Sequence, residues 1–236
     1  MRQVLVIGSS GILGRAIVSH LRSLSHSCIT VDIAPSPDSL EVPQYLLPGS
    51  SLSAQSNHLL SSLPSKGPLG AIICAAGGWV GGKAGDKDFP SSIDTMNVFL
   101  QPSLLAAHLA CSPGTLGSDG FLILTGSAAA LSPTPTMVAY GLAKSATHSL
   151  TRFLGASGSG MPPGAHSLAL APHVIDTPNN RKWMSSGADT SSWTPPSHIA
   201  RRVGDLIGGN VPSPPSGSIL ECITTGGVTD WVTHAP

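Results

Sequence analysis

The chain has 236 residues, only 10% of them are charged, and its 12 acidic and 12 basic side chains cancel. A neutral chain of this kind offers neither a basic surface for nucleic acid nor a polybasic segment for an anionic membrane, which excludes both partner classes as first hypotheses. Hydrophobic residues make up 41% of the sequence, and no apolar run approaches the length of a transmembrane helix. We therefore predict one folded domain over residues 1–236.

Apolar runs that end at Gly, Pro or Asp alternate with helix-length segments along the chain. Strands are predicted, in chain order, at Val4–Ile7, Cys28–Asp32, Tyr45–Leu47, Leu69–Cys74, Phe121–Thr125, Ser167–Ala171 and Ile219–Thr224. Helices are predicted at Ile12–Leu24, Ala54–Leu63, Ile93–Cys111, Val138–Ala156 and Ser197–Ile207. Several strands are almost continuously apolar, which fits a sheet covered by helices on both faces. The prediction is a Rossmann-like, doubly wound α/β fold with a mostly parallel seven-stranded sheet.

The first predicted strand leads into a glycine-rich turn, Gly8-Ser9-Ser10-Gly11-Ile12-Leu13-Gly14, which opens the first helix. A turn without Cβ atoms admits the pyrophosphate of a dinucleotide, whose charge then lies at the helix N-terminus. We therefore assign cofactor contacts to Gly8, Ser10, Gly11, Ile12, Leu13 and Gly14. Glycines also form ordinary tight turns, and that interpretation stays open.

The second predicted strand ends at Asp32, which Ile33 follows, and both residues are assigned as cofactor contacts. A carboxylate at this position can accept hydrogen bonds from the adenosine ribose and repels a 2′-phosphate, which favours NADH over NADPH. The alternative is an aspartate that only caps the turn at the strand end.

Two segments, 77–92 and 172–196, fit no predicted element. Irregular segments of this length in a compact domain are usually binding loops or lids. The first is rich in glycine and begins just past a strand, at the sheet edge where doubly wound folds bind ligands. The second carries Trp183 and Trp193, which either cover the site as a lid or belong to the packed structure.

Tyr140 and Lys144 are four residues apart on a predicted helix, and Ser127 lies upstream at the end of a predicted strand. Positions i and i+4 share one helix face, so the Lys144 ammonium is expected near the Tyr140 hydroxyl. A cation there should lower the pKa of the phenol and make Tyr140 a proton donor near neutral pH. The alternatives are a solvated helix face for the pair and a turn hydroxyl for Ser127.

Together the glycine turn, Ser127, Tyr140 and Lys144 resemble the short-chain dehydrogenase/reductase family. Within it, the chain is similar to the dihydropteridine reductases in the segments 76–82, 140–144, 159–165, 176–182 and 191–195, which run in family order. The family asparagine after the fourth strand is replaced, since the segment here reads Cys74-Ala75-Ala76-Gly77, and the helix asparagine maps only loosely to Asn97.

The resemblance implies reduction of quinonoid dihydropterin (dihydrobiopterin) to tetrahydropterin (tetrahydrobiopterin), with hydride from NADH and with NADPH less favoured. Tyr140 would be the proton donor, Lys144 would hold the nicotinamide ribose, and Ser127 falls at the general family's catalytic serine. Further cofactor contacts fall on Ala76, Gly77, Gly78 and Thr177. Trp79 is expected to stack on the flat pterin, or else it closes the core.

The resemblance also implies a homodimer formed by the helices at 93–111 and 138–156. Their alanine-rich faces would permit close helix approach, but they suit packing on the sheet equally well. The four cysteines and nine histidines show no metal-ligand spacing, so we predict no metal site and reduced thiols in a cytoplasmic protein. Two alternative functions remain at this point: a reductase of another quinone or carbonyl substrate, and a non-catalytic nicotinamide- or pterin-binding protein.

Overall fold

The computed structural model describes residues 1–36, 44–47, 51–63, 67–184 and 187–236. The strands are β1 (Gln3–Ile7), β2 (Ser27–Asp32), β3 (Gln44–Leu46), β4 (Leu69–Cys74), β5 (Leu116–Thr125), β6 (His166–Pro172), β7 (Ile219–Thr225) and β8 (Val228–His234). The α-helices are α1 (Ile12–Ser23), α2 (Leu52–Ser62), α3 (Phe89–Cys111), α4 (Val138–Gly155), α5 (Pro178–Trp183) and α6 (Pro196–Gly208). Short 3-10 turns lie at Ala128–Leu131 and Thr190–Ser192.

All the strands in the described part of the chain form one sheet, in the order β3-β2-β1-β4-β5-β6-β7-β8. Neighbouring strands from β3 to β7 pair in parallel, and β8 pairs antiparallel with β7. The doubly wound, mostly parallel α/β fold is therefore confirmed. The predicted number of seven strands is wrong, because the chain turns back at Gly226 and Gly227, both at positive φ, and adds β8.

Helices cover both faces of the sheet, as the apolar strands predict. In β1, Val4 and Val6 belong to the core cluster shared with α1 and α6, whereas Leu5 and Ile7 belong to the cluster shared with α2 and α3. Alternate side chains of a strand point to opposite faces, so a strand with apolar residues at every position is buried on both sides. One cluster lies on each face of the sheet, and together the two clusters form the core.

Strand order reverses between β1 and β4, which places a crevice at their carboxyl ends. The segments after β1, β4, β5 and β6 all leave the sheet at this edge. The predicted irregular segments are partly wrong: α3 begins at Phe89, and α5 lies inside 172–196. Thr177 caps α5 by accepting the Asn180 N–H at 3.2 Å, and Pro178 takes the first helical position.

Cys28, Cys74 and Cys222 are buried, Cys111 is half-buried, and all four thiols are free, as predicted. Among the described residues, no helix has both the length and the apolar character that crossing a membrane requires.

Candidate active site

The glycine turn packs tightly against the end of β4. Gly8 has φ +83°, and its amide donates to the Val31 carbonyl at 2.8 Å. A Cβ on Gly8 would overlap the Ala76 backbone, and a Cβ on Gly14 would overlap the Gly8 carbonyl oxygen. Close packing of the turn itself therefore requires both glycines.

The N-terminus of α1 has the properties of an anion site. Gly11 is the N-cap and carries no side chain to accept the first amides, and the first turn of α1 contains no acidic residue. The Arg15 guanidinium donates to the Ser10 carbonyl at 2.7 Å, which brings a cation beside the turn. Amides at a helix N-terminus next to a cation suit the pyrophosphate of a dinucleotide. The residues present therefore fit the predicted cofactor.

Asp32 is held by the main chain around it. Its Oδ2 accepts the Ser10 N–H at 2.8 Å, and its Oδ1 accepts the N–H groups of Ile33 and Ala34 at 2.7 and 3.3 Å. These are the hydrogen bonds of a turn-capping aspartate, so that alternative is confirmed as part of its role. Asp32 is nevertheless half-exposed beside the glycine turn, so its negative charge remains accessible from solvent.

Lys144 is almost fully buried at the carboxyl end of β5. Its Nζ donates to the Thr125 carbonyl at 2.8 Å, and an added Cβ on Gly77 would lie 3.3 Å from this nitrogen. Burial lowers the pKa of Lys144 to about 8, against a smaller opposite effect of the Cys74 thiol. A buried ammonium beneath the loop after β4 is thus available to a ligand that lies on that loop.

Tyr140 lies on the same face of α4, and the Lys144 Nζ is 5.9 Å from the centre of its ring. Burial raises the pKa of Tyr140, and the neighbouring Ser127 hydroxyl acts in the opposite direction with a smaller effect. The prediction that Lys144 lowers the phenol pKa is therefore wrong for the chain on its own. The ammonium is directed to the Thr125 carbonyl, and the phenol is desolvated.

Ser127 is buried and connects α4 to the end of β5. Its hydroxyl accepts the Ala129 N–H at 3.3 Å, which starts the short 3-10 turn, and its own N–H donates to the His148 Nε2 at 3.3 Å. The interpretation as a turn hydroxyl is thus confirmed. Sequence reasoning missed His148, although its spacing of four residues from Lys144 places it on the same helix face.

The loop after β4 carries Trp79, whose side chain is 61% exposed. Its ring lies against Gly81, and Gly78 lies against the Phe99 ring of α3. The alternative that Trp79 closes the core is therefore wrong. At the loop's end, the Gly82 N–H donates to the Thr136 carbonyl at 2.8 Å, and the Val138 N–H donates to the Gly82 carbonyl at 3.0 Å. These two bonds join the loop to the chain two residues before Tyr140.

The segment between β6 and α6 contains two tryptophans, and they lie in different environments. Trp183 is exposed on α5, whereas Trp193 is buried, so only Trp183 remains a candidate for a lid. Asp176 and Arg181 form a bidentate ion pair at 2.6 and 2.7 Å. Thr177 caps α5 beside this pair.

The two departures from the family pattern, at Asn97 on α3 and at Cys74 on β4, have different environments. Asn97 is exposed, and no contact in the described structure joins it to Tyr140 or Lys144. The Cys74 thiol is buried, 4.0 Å from the Ser103 hydroxyl. A thiol and a hydroxyl therefore meet where α3 packs on β4.

No protein-family model matches the chain. A dihydropteridine reductase of Dictyostelium discoideum is 33% identical over 232 residues, covering 98% of each chain. Among solved structures, the aldohexose dehydrogenase of Thermoplasma acidophilum is similar with TM-score 0.74 and 19% identity, covering 93% of this chain and 91% of that one. A blue fluorescent protein from a metagenomic library, in complex with NADPH, is similar with TM-score 0.75 and 20% identity, covering 96% and 97% of the two chains.

Proposed function

Since the chain belongs to the dihydropteridine reductase family of the short-chain dehydrogenase/reductases, and is an NAD(P)H-dependent oxidoreductase, we propose that it reduces quinonoid dihydropterin to tetrahydropterin with NADH and so regenerates the reduced pterin. The observation that carries this proposal is the connection between the Trp79 loop and Tyr140. The hydrogen bonds of Gly82 with Thr136 and Val138 join the loop that carries the exposed Trp79 indole to the start of the helix that carries the buried Tyr140 phenol. A flat substrate with a nitrogen to protonate needs an aromatic surface to stack on and a proton donor in one site.

In this proposal the dinucleotide lies along the carboxyl edge of β1 and β4. The amides at the start of α1 and the Gly8–Gly14 turn bind the pyrophosphate, and Ala76, Gly77 and Gly78 form the floor under the nicotinamide half. Lys144 donates to the nicotinamide ribose, and Thr177 borders the same half from the segment before α5. When bound, NADH supplies the hydride.

Asp32 supports the choice of NADH. Its carboxylate is fixed by three backbone amides, so it cannot turn away from a ligand that occupies the adenosine end. A 2′-phosphate placed there would face a fixed negative charge at short range. NADPH is therefore the less favoured cofactor.

Tyr140 is the proposed proton donor, and its raised pKa suits this role. Burial keeps the phenol protonated across the neutral range, so the proton is present when the pterin binds. As the proton passes to a pterin nitrogen, the Ser127 hydroxyl donates to the phenolate oxygen and stabilises the charge that develops. The main contributions of the chain are orientation and this proton.

The test is the absorbance of NADH after addition of quinonoid dihydropterin. We expect oxidation much faster than in the absence of protein, and a Tyr140→Phe variant that binds NADH normally but turns over at least about a hundredfold more slowly. Tyr45→Phe is the matched control, since it makes the same change to the tyrosine on β3, outside the proposed site. NADH oxidation no faster with protein than without would refute the proposed reaction.

A reductase of simple quinones or ketones is the second candidate, because the Ser127 hydroxyl is near enough to Tyr140 to lower its pKa, and two neighbouring hydroxyls can polarise a carbonyl oxygen. Turnover of a ketone with an efficiency above that of the pterin would favour it. NADH binding without turnover of any of these substrates would favour a non-catalytic nicotinamide- or pterin-binding role.

We also propose a cytoplasmic homodimer of a single domain. Ala106, Ala107 and Ala110 of α3 are buried in the core of their own chain, so these alanines pack on the sheet and do not form a dimer contact. The apolar side chains left exposed on α3 and α4 include Val98, Leu142 and Phe153. Light scattering should give a particle mass twice that of the chain, and the Phe153→Asp variant should have the mass of a single chain.

A further inference from the structure

Gln44 is the first residue of β3, and its side-chain amide joins two segments at the carboxyl edge of the sheet. Its Nε2 donates to the Ser10 hydroxyl at 3.2 Å and to the Ala34 carbonyl at 3.3 Å. Its Oε1 accepts the Ser36 N–H at 3.2 Å. A flipped amide would place its NH2 group against the Ser36 N–H and its oxygen against the Ala34 carbonyl, so these bonds fix the orientation of the amide.

Asp32 holds two of the same residues by their main chain. Its Oδ2 accepts the Ser10 N–H and its Oδ1 accepts the Ala34 N–H, whereas Gln44 binds the Ser10 hydroxyl and the Ala34 carbonyl. Asp32, Ser10, Gln44 and Ala34 therefore form a closed ring of hydrogen bonds. The Ser10 hydroxyl also donates across this ring to the Ala34 carbonyl at 2.8 Å. The ring joins the glycine turn after β1 to the segment after β2.

Hydrogen bonds, and not packing, hold the segment after β2. Ile33, Ala34 and Pro35 are all exposed, and Ile33 has 71% of its surface in solvent. Such a segment has little buried apolar surface to order it. Gln44 supplies two of its hydrogen bonds, one to the Ala34 carbonyl and one from the Ser36 N–H. The order of this segment therefore depends on the Gln44 amide.

The ring lies at the carboxyl ends of the first two strands, where doubly wound sheets bind the adenosine half of a dinucleotide. We propose that Gln44 is a positioning residue for the cofactor. It holds the segments on both sides of Asp32, so that this carboxylate keeps one orientation toward the adenosine ribose. The inference rests on the proposed preference for NADH and deepens it, since it assigns part of that preference to a side chain on β3.

Binding of NADH and of NADPH, measured by isothermal titration calorimetry, tests the inference without any pterin. Gln44→Met keeps a side chain of similar length and removes its donors and acceptor. We expect it to raise the Kd for NADH about tenfold, and to reduce the preference for NADH over NADPH about fivefold, because the carboxylate is no longer fixed. Gln101→Met is the matched control, since the Gln101 side chain on α3 makes no hydrogen bond within the described part of the chain.

A second background shows whether Gln44 acts through Asp32. In Asp32→Asn, adding Gln44→Met should leave the ratio of the two Kd values unchanged, because the charge that Gln44 positions is absent. Should Gln44→Met not fold, Gln44→Leu is expected to give the same results. The proposal is overturned by an unchanged Kd for NADH in the Gln44 variant, by an equal loss of affinity for the two cofactors, or by a change in the ratio that persists in Asp32→Asn. A wild-type protein without any preference for NADH also overturns it.

Turnover separates this inference from the proposed reaction. Gln44→Met should raise the KM for NADH about tenfold and leave kcat unchanged, because Tyr140 and Lys144 are intact. If the protein turned over no pterin at all, the proposed reaction would fail, while the two titrations still decided the role of Gln44. A lower kcat with an unchanged KM for NADH would place Gln44 in the catalytic step and would refute the inference.

Discussion

Replacing Lys144 with methionine should abolish NADH oxidation and yet make the protein without cofactor more stable at neutral pH. Burial lowers the pKa of Lys144 from 10.5 to about 8, so keeping the ammonium charged at pH 7 costs about 3 kcal/mol. Methionine removes this cost but leaves the Thr125 carbonyl without its donor, which costs about 1–3 kcal/mol. The net expectation is a gain of about 1 kcal/mol, or a Tm higher by about 2–4 °C for a chain of this size.

The pH dependence of this gain has a definite sign. Because the folded-state pKa of Lys144 lies below the unfolded value, the unfolded chain binds more protons between pH 8 and 10.5, and the native protein becomes more stable as the pH rises through that window. The methionine variant lacks this increase, so its advantage should be full below pH 8, should vanish about one pH unit higher, and should be a deficit of about 2 kcal/mol by pH 10.5.

Urea unfolding followed by tryptophan fluorescence at pH 7 and at alkaline pH measures the difference between the two proteins, in which the other titrating groups cancel. Lys87→Met is the matched control, since Lys87 is exposed and its loss should give no comparable pH-dependent difference. A methionine variant that is less stable at pH 7, or a difference that does not change with pH, would refute the argument that the buried ammonium is costly.

Three further substitutions test the cofactor and substrate contacts. Asp32→Asn should raise the efficiency with NADPH relative to NADH by about tenfold or more, since it removes a fixed charge near the ribose; an unchanged ratio of kcat/KM would contradict the assignment. Gly14→Ala should lose NADH binding and more than about 2 kcal/mol of stability, because its Cβ would overlap the Gly8 carbonyl oxygen, whereas Gly85→Ala meets nothing within 4 Å and should leave both unchanged. Trp79→Ala should raise the KM for pterin about tenfold with little effect on Tm, and Trp79→Phe should retain most of the affinity; loss of stability instead of affinity would make the indole structural.

The order of strands and helices was predictable because it depends on local patterns. The apolar runs of β1, β4 and β5 are buried on both faces, and such runs are visible in the sequence. The strand β8 was missed because one of its faces is exposed and the other is only partly buried, so its apolar pattern is weak. Its signal was the Gly226-Gly227 pair between two alternating segments, which is typical of a tight hairpin.

The catalytic pair was predictable from its spacing, but its electrostatics were not. Spacing places Tyr140 and Lys144 on one helix face, yet it does not say that the ammonium turns to the Thr125 carbonyl or that the phenol is desolvated. The partner of the ammonium lies on β5, 19 residues away along the chain. The contact of His148 has a similar origin, because its partner Ser127 belongs to the segment after that strand.

The pairing of Gly82 with Thr136 and Val138 has a consequence for altering substrate preference. The hydrogen bonds that join the Trp79 loop to the start of α4 are made by main-chain atoms, so exchanging the side chain of Trp79 should change the proposed substrate wall and leave the proposed proton donor, Tyr140, in place. Engineering of new acceptors can therefore vary that one position and keep the protonation geometry. Insertions between Gly82 and Tyr140 would change both at once.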